Sequence, residues 1–428
     1  MNNGMFASRT HRACLPNGFT LLVYENPASP TVHLSMALRA GRFLDPLDRP
    51  GLSQLTASML KRGSKQRSKF EIAQTLEDVG ANVEVSANRF LIGAEGQALS
   101  KDIGRVLSTL AEILRQPAFP EDELDKLKKQ VIGSLRRQQE QTDVRAFERF
   151  CQILYAPGNP FYQPPVEQRI QSIETISVED LQRFYQTYYG AATAMLVVVG
   201  DVKTKQVQQQ VEELFGDWAA GAPVPIEVER TRPGEQTQRE LIHMPDKANA
   251  NVVMGHAGQL RRTDQDYYAA FIANAALGQS TLSSRLGLRV RDQEGLTYGI
   301  ASRFWEASFA DGPWAVSFTV NPDNLNKALA STLEVIDAYL QQGITDRELE
   351  DEKSSFVGSF IVGLDTNTGM ATHLLSAEAY GFGPQYLDRV PQLVQAVTKQ
   401  QVNAAIQKFI HPSGFVTVIA GSLNDVAL

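Results

Sequence analysis

The chain has 428 residues, which at the usual domain size predicts two or three domains rather than one. Hydrophobic residues make up 43% and charged residues 21% of the chain, and this ordinary composition excludes disordered and fibrous proteins. Acidic residues number 48 against 41 basic ones, so the formal charge is −7. This net charge argues against nonspecific binding to nucleic acid or to an anionic membrane.

The chain has two cysteines, Cys14 and Cys151, too few for a disulfide scaffold, so a reducing compartment is expected. Cys151 lies among aromatic and aliphatic residues and is predicted to be a buried thiol. The first residues lack the apolar run of a secretory signal, and no apolar stretch of membrane-spanning length follows. We therefore expect a cytoplasmic protein whose partners include neither a membrane nor a nucleic acid.

The first strongly patterned segment is 32–38, where apolar residues alternate with polar or small ones. This period of two predicts a strand with one buried face. His33 lies on the polar side of the pattern and is expected to face solvent.

Two later segments have the spacing of three and four that is typical of an amphipathic helix. The first spans 103–114, behind Asp102 as a candidate N-cap. The second spans 325–340, with Asn321 as its cap and Pro322 in its first turn.

Self-similarity at long range indicates an internal duplication. The segment ELDKLKKQVIGSL, which begins at Glu123, resembles ELEDEKSSFVGSF, which begins at Glu348. A predicted helix and strand from Ile176, ISVEDLQRFYQTYYGAATAMLVVVGDV, resembles the segment that begins at Val397. In both pairs, the second copy follows the first by nearly the same number of residues. Duplication therefore explains the two similarities better than chance does.

The duplication predicts two homologous α+β domains, each a mainly antiparallel sheet with helices covering one face. Residues 1–219 would form the first domain and residues 239–428 the second. The segment 220–238 between them is polar, contains prolines and lacks an apolar period, which predicts a linker.

Several kinds of enzyme lack support in the sequence. Phosphate-binding glycine loops, the G-x-G-x-x-G fingerprint and the G-x-S-x-G nucleophile elbow are all absent from it. The six histidines are scattered, without the spacing that places two imidazoles on one helical face. An independent enzyme with unrelated chemistry would need a titratable cluster that the sequence does not show.

The segment Gly41–Pro46, followed by GLSQLTASMLKRGS from Gly51, resembles the first motif of the pitrilysin and mitochondrial-processing-peptidase family, the inverted zincins. In that family this helix carries H-x-x-E-H, which binds zinc and supplies the catalytic glutamate. Here Gln54, Ala57 and Ser58 occupy those positions, and the third metal ligand would fall at Ser134 or Leu135. The resemblance therefore implies a degenerate metal site and no cofactor in this chain.

A second motif, RLGLRVRDQEGLTYGIAS, resembles the signature of the family's C-terminal domain. It places Arg291 and Tyr298 at the family's spacing of seven. The residues themselves predict a helix that ends in a left-handed conformation at Gly295, followed by a strand. A guanidinium and a phenol presented together are donors suited to the backbone carbonyls of an extended peptide. An arginine near a helix C-terminus and a tyrosine on a strand are also common structural features.

The resemblance implies a noncatalytic, substrate-binding subunit of a heteromeric zinc metallopeptidase. The partner would be a homologous subunit that carries H-x-x-E-H and the zinc, and the substrates would be unstructured peptides. Arg291 and Tyr298 would act across the heterodimer on the substrate carbonyl. The alternative is a structural or peptide-holding scaffold subunit without a part in catalysis. In isolation, the chain is expected to be able to form a homodimer. The segment 277–281 lacks the run of glycines found in processing-peptidase subunits, so presequence recognition is not implied.

Overall fold

A computed structural model describes residues 5–422 of the chain. It has two sheets and two compact α+β units, which confirms the predicted fold class. The first unit contains the residues up to Gly133, then Glu167–Pro225 and Ser359–Val390. The second contains Ser134–Val166, Ile226–Gly358 and the residues from Pro391 onward.

Six described strands form the sheet of the first unit, in the order β1-β2-β6-β3-β5-β4. All neighbours are antiparallel except β2 and β6, which are parallel. The strands are β1 (Thr10–Cys14), β2 (Thr20–Glu25), β3 (Thr31–Leu38), β4 (Asn82–Ala87), β5 (Ile92–Leu99) and β6 (Ala194–Gly200).

The second sheet has the order β7-β11-β8-β10-β9 among the described strands, so β9 lies at one edge. Its one parallel pair joins β7 and β11. The strands are β7 (Gln238–His243), β8 (Ala250–His256), β9 (Thr297–Phe304), β10 (Trp314–Val320) and β11 (Val416–Gly421). The segment from 220 to the start of β7 has no regular secondary structure.

The α-helices follow the apolar periods of the sequence. The predicted helix at 103–114 is α3, although Asp102 makes no capping hydrogen bond, and the helix at 325–340 is α10, preceded by the predicted Asn321 cap. The helices of the first half are α1 (Leu52–Met59), α2 (Lys69–Glu77), α3 (Ile103–Arg115), α4 (Glu121–Gln138), α5 (Thr142–Leu154), α6 (Val166–Thr175), α7 (Val178–Tyr188) and α8 (Thr204–Phe215). Those of the second half are α9 (Tyr267–Asn274), α10 (Leu325–Gln342), α11 (Asp346–Leu364), α12 (Asn367–Ala379), α13 (Gln385–Gln395) and α14 (Lys399–Phe409). No helix within residues 5–422 is long and apolar enough to span a lipid bilayer.

The topology supports the predicted duplication. Helix α7 leads into β6, which pairs in parallel with β2 and antiparallel with β3; α14 leads into β11, which pairs in the same way with β7 and β8. Both helices begin with a capping box, formed by Ser177 with Asp180 and by Thr398 with Gln401. The repeated sequence therefore encodes a repeated helix start as well as a repeated strand.

Two equivalent helices are exchanged between the halves of the chain. Helix α5, from the first half, packs on β8 and β11, and α12, from the second half, packs on β3 and β6. The two helices start at Thr142 and Asn367, which are separated by the same offset as the repeated segments that begin at Glu123 and Glu348. The chain passes from one unit to the other after Gly133, and again after Gly358. The compact units therefore depart from the contiguous boundaries 1–219, 220–238 and 239–428 that the sequence suggested.

In the first sheet, the exchange places a helix on the face opposite the main helical layer. In the first sheet, Leu34 and Val198 pack in the core with α1, α3, α7 and α8, whereas Leu22 and Val197 pack against α12. The expectation for His33 was therefore wrong, because α12 covers its face of β3. Its side chain is only 6% exposed, and Nδ1 lies 3.3 Å from the Thr368 hydroxyl. Cys151 is buried, as predicted, and Cys14 is exposed.

Candidate functional site

Arg291 and Tyr298 lie on either side of a tight helix-to-strand connection in the second unit. Arg291 belongs to a π-helical turn, Gly287–Gln293, rather than to the regular helix that the spacing predicts. Gly295 ends this turn with φ +63°, the predicted left-handed conformation, and Tyr298 is the second residue of β9. π-Helical turns are rare in proteins and are frequent at functional sites.

The structure brings the two predicted residues together. The Arg291 Nε donates a hydrogen bond to the backbone carbonyl of Tyr298 at 3.2 Å. The Tyr298 side chain is 92% exposed, an unusual position for a large aromatic residue. Strand β9 lies at the edge of its sheet, so the phenol projects from a rigid element that is open to solvent.

A bulge in the edge strand interrupts the regular alternation at Tyr298. Thr297 pairs with Val320 and Ile300 with Phe318, so β9 has one residue more than β10 in this interval. The Thr297 hydroxyl stabilises the irregularity by donating to the carbonyl of Thr319 at 2.6 Å. Bulges of this kind commonly redirect a side chain next to a binding site.

An ion pair that the sequence analysis missed anchors the approach to the π-helical turn. The Arg285 Nε lies 2.6 Å from the Glu348 carboxylate at the start of α11, and its guanidinium stacks on the Tyr339 ring at 4.4 Å. At the end of the same turn, Arg289 pairs with Glu294 at 2.6 Å. The partners of Arg285 belong to helices much further along the chain, so local spacing gave no signal for them.

The positions that the sequence resemblance assigns to the metal motif lie on α1 in the first unit. Gln54 and Ser58 are one helical turn apart; Gln54 is exposed and Ser58 half-buried, while Ala57 is fully buried. At the position of the third ligand, Ser134 and Leu135 lie on α4. An amide, a methyl group and a hydroxyl do not form the imidazole and carboxylate set that holds zinc. Within residues 5–422, no three His, Cys, Asp or Glu side chains are grouped so that they could hold a metal ion.

A partly buried carboxylate, that of Asp45, fixes the start of this helix. Asp45 accepts hydrogen bonds from the backbone amides of Gly51 at 2.9 Å and Ser53 at 2.8 Å. Burial raises the pKa of Asp45 to about 6, although both amides favour the ionised form. The sequence analysis did not single out Asp45, since a carboxylate so far before a helix is outside the usual capping spacing. These two hydrogen bonds hold the loop before α1 against the first turn of the helix.

Two family models match this chain, one after the other along the sequence. Residues 20–161 match the family model described as insulinase, peptidase family M16, and residues 175–356 match the model described as the peptidase M16 inactive domain. The non-peptidase homolog YmxG of Helicobacter pylori is 25% identical over 82% of this chain and 79% of its own length. The beta subunit of the mitochondrial-processing peptidase of Blastocladiella emersonii is 23% identical over 97% of this chain and 89% of its own.

A solved structure supports the same assignment. The crystal structure of the peptidase M16 inactive domain from Pseudomonas fluorescens is 25% identical in sequence and superposes with a TM-score of 0.88. The match covers 96% of this chain and 98% of that chain. From the two family models, which follow each other along the sequence, and from this shared fold, the chain belongs to peptidase family M16.

Proposed function

We propose that this chain is a noncatalytic, substrate-binding subunit of a heteromeric zinc metallopeptidase of the cytoplasm. The observation that carries the proposal is the exposed Tyr298 beside Arg291, in a chain whose metal-motif positions hold Gln54, Ala57 and Ser58. Two relatives support it: one is described as a non-peptidase homolog, and the other as a subunit of a processing peptidase.

In this proposal the chain's own residues bind the peptide and polarise it. A zinc ion and its general base would belong to a separate homologous subunit that carries H-x-x-E-H, where the zinc would supply activation of water. Arg291 holds one backbone carbonyl of an extended peptide by donated hydrogen bonds. The Tyr298 hydroxyl donates to the carbonyl under attack and stabilises the negative charge that develops on its oxygen.

Mixing this chain with an H-x-x-E-H-bearing homologue and an unstructured peptide tests the proposal. Cleavage is expected from the mixture, with a loss on the order of 10²-fold in rate when Tyr298→Phe removes the donor, and with a loss for Arg291→Ala as well. Arg347→Ala serves as the control, because Arg347 is a highly exposed arginine on α11. This control is expected to leave the rate unchanged.

The alternative, a structural or peptide-holding scaffold, gives different results in the same assay. If both substitutions leave every activity of the mixture unchanged, the scaffold role stands and the catalytic contribution is wrong. Metal analysis of the isolated chain is a second check, since stoichiometric zinc after dialysis would contradict a metal-free subunit. Size measurement of the isolated chain tests the expected homodimer, which by itself would not replace the heteromeric assembly.

A further inference from the structure

A cavity of about 520 Å³ opens in the second unit, and it lies within the size range of small-ligand sites. All of its lining residues belong to that unit. It lies on the face of the second sheet that carries α5. Helix α5 packs on β8 and β11 on this face, and the cavity lies beside the helix, above β10 and the edge strand β9.

Small residues on adjacent strands leave space on the floor of the cavity. Ala301 of β9 pairs with Ser317 of β10, which pairs with Val253 of β8, so the three share one face of the sheet. Gly299, next to Tyr298 in the chain, also lines the floor. Strand positions on a packed face usually hold β-branched or aromatic residues. The missing volume at Gly299, Ala301 and Ser317 therefore accounts for the opening.

Two aromatic rings form one wall of the cavity, and hydrogen bonds hold part of its rim. Phe147 of α5 and Trp305, just after β9, lie with their ring centroids 4.6 Å apart. At the rim, the Asn251 amide donates to the Thr142 hydroxyl at 2.6 Å and accepts from Thr319. These contacts tie the first turn of α5 to the sheet, so the cavity has a rigid wall and a rigid rim.

The charge of the lining decides which kind of ligand it favours. Asp143 is its only formally charged residue, and it is exposed on the first turn of α5. The remaining lining residues are apolar, small or neutral polar, and none of them is basic. A carboxylate or phosphate would lose its hydration without a basic residue in the lining, since Arg303, whose guanidinium carbon lies 5.8 Å from the centre of the Trp305 ring, is not a lining residue. A flat uncharged group would instead stack against Phe147 and Trp305.

We propose that this cavity binds an uncharged aromatic side chain of a peptide. The inference deepens the proposed function and rests on it for the peptide nature of the ligand. The cavity adjoins Tyr298 through Gly299, so a peptide whose backbone reaches the Arg291 and Tyr298 pair can place a neighbouring side chain in it. The cavity thereby makes the chain selective for one side chain as well as for peptide backbone.

The test measures equilibrium binding to the full chain alone, by calorimetry, with capped pentapeptides that differ at their central residue: Phe, Ala or Glu in a Gly background. The Phe peptide is expected to bind roughly tenfold tighter than the Ala peptide, from the apolar area it buries, and the Glu peptide most weakly. The Phe peptide is also expected to change the fluorescence of Trp305, with Trp305→Phe as the reference for this signal. Equal affinity for the Phe and Ala peptides, or preference for Glu, overturns the proposal.

Two substitutions that add side-chain volume to the floor of the cavity test whether the Phe peptide binds there. Ala301→Leu and, as a milder change, Ser317→Val are each expected to weaken binding of the Phe peptide, Ala301→Leu by roughly tenfold. Ser86→Leu, at an exposed position on β4 of the other unit, is the matched control and is expected to have no effect. Unchanged affinity in both floor variants, with their thermal unfolding retained, overturns the assignment to this cavity. The binding measurement does not depend on cleavage. If the chain prefers the Phe peptide but the two-subunit mixture does not cleave peptide, the result counts against the proposed function and not against the cavity proposal.

Discussion

His256 is a fully buried imidazole in the second unit, and both of its ring nitrogens are engaged. Nδ1 donates to the Ala257 carbonyl at 2.8 Å, and Nε2 accepts from the backbone amide of His411 at 3.3 Å. Its ring packs on Trp314 and Phe415. Burial lowers the pKa of His256 to about 4 from an ordinary value of 6.5, because the charged form is poorly solvated there.

This pKa shift predicts acid sensitivity of the second unit. The fold favours neutral His256, so its contribution to stability is complete above pH 6.5 and is lost as the pH falls toward 4. By pH 5 the loss in the free energy of unfolding is expected to be about 2 kcal/mol. Thermal unfolding at pH 7 and pH 5 checks this, with His256→Phe expected to be less stable at pH 7 and less dependent on pH. An unaltered pH dependence in this variant would contradict the assignment, and His243→Gln, an exposed histidine, is the control.

The predicted site residues show which features of the site a local sequence pattern can predict. The spacing of Arg291, Gly295 and Tyr298 correctly indicated a helix end followed by a strand. The π-helical geometry and the bulge that accompany them depend on distant partners, including Glu348 and Thr319. His33 was misplaced for the same reason, because the helix that buries it, α12, belongs to the other half of the chain.

At the scale of elements, the two capping boxes are the most local evidence for the repeat. In each box the side chain of the N-cap residue accepts from the amide at the third helical position, and the side chain at that position accepts from the N-cap amide. Each box satisfies backbone groups that a helix start otherwise leaves without partners.

Removal of either box is expected to destabilise its own unit. Ser177→Ala is expected to cost about 1 kcal/mol in the first unit, and Thr398→Ala a similar amount in the second. Denaturant unfolding monitored separately for each unit, with a tryptophan of that unit as the probe, measures the effect. Ser355→Ala, at an exposed position inside α11, is the control and should change stability little. Equal loss of stability in both units from a single substitution would contradict independent caps.

The whole molecule depends on the exchange of α5 and α12 between the halves of the chain. Helix α12 covers a face of the first sheet that includes Leu22, Tyr24 and Val199, and Leu374 is fully buried in that contact. Without α12 this apolar face would be open to water, at a cost that increases with the apolar area exposed.

Division of the chain at the linker should therefore give an unstable first half. Residues 1–225 alone are expected to aggregate or to lack a cooperative thermal transition, and fusing 359–390 to their end through a flexible linker is expected to restore one. The same fusion with Leu374→Asp is the control and should not restore it, because a carboxylate would be buried without a partner. Cooperative unfolding of residues 1–225 without the added segment would show that α12 is not needed.

The sequence by itself determined the α+β class, the duplication and the main helices. These features are local or repeat at a fixed offset, so period, cap residues and motif spacing are enough to reveal them. Only the tertiary structure decided which helix covers which sheet, that His33 is buried, that Tyr298 is exposed, and that Gly299, Ala301 and Ser317 leave a cavity. The physical reason is that burial and cavity volume depend on residues far apart in the chain, and a linear pattern does not record which of them meet.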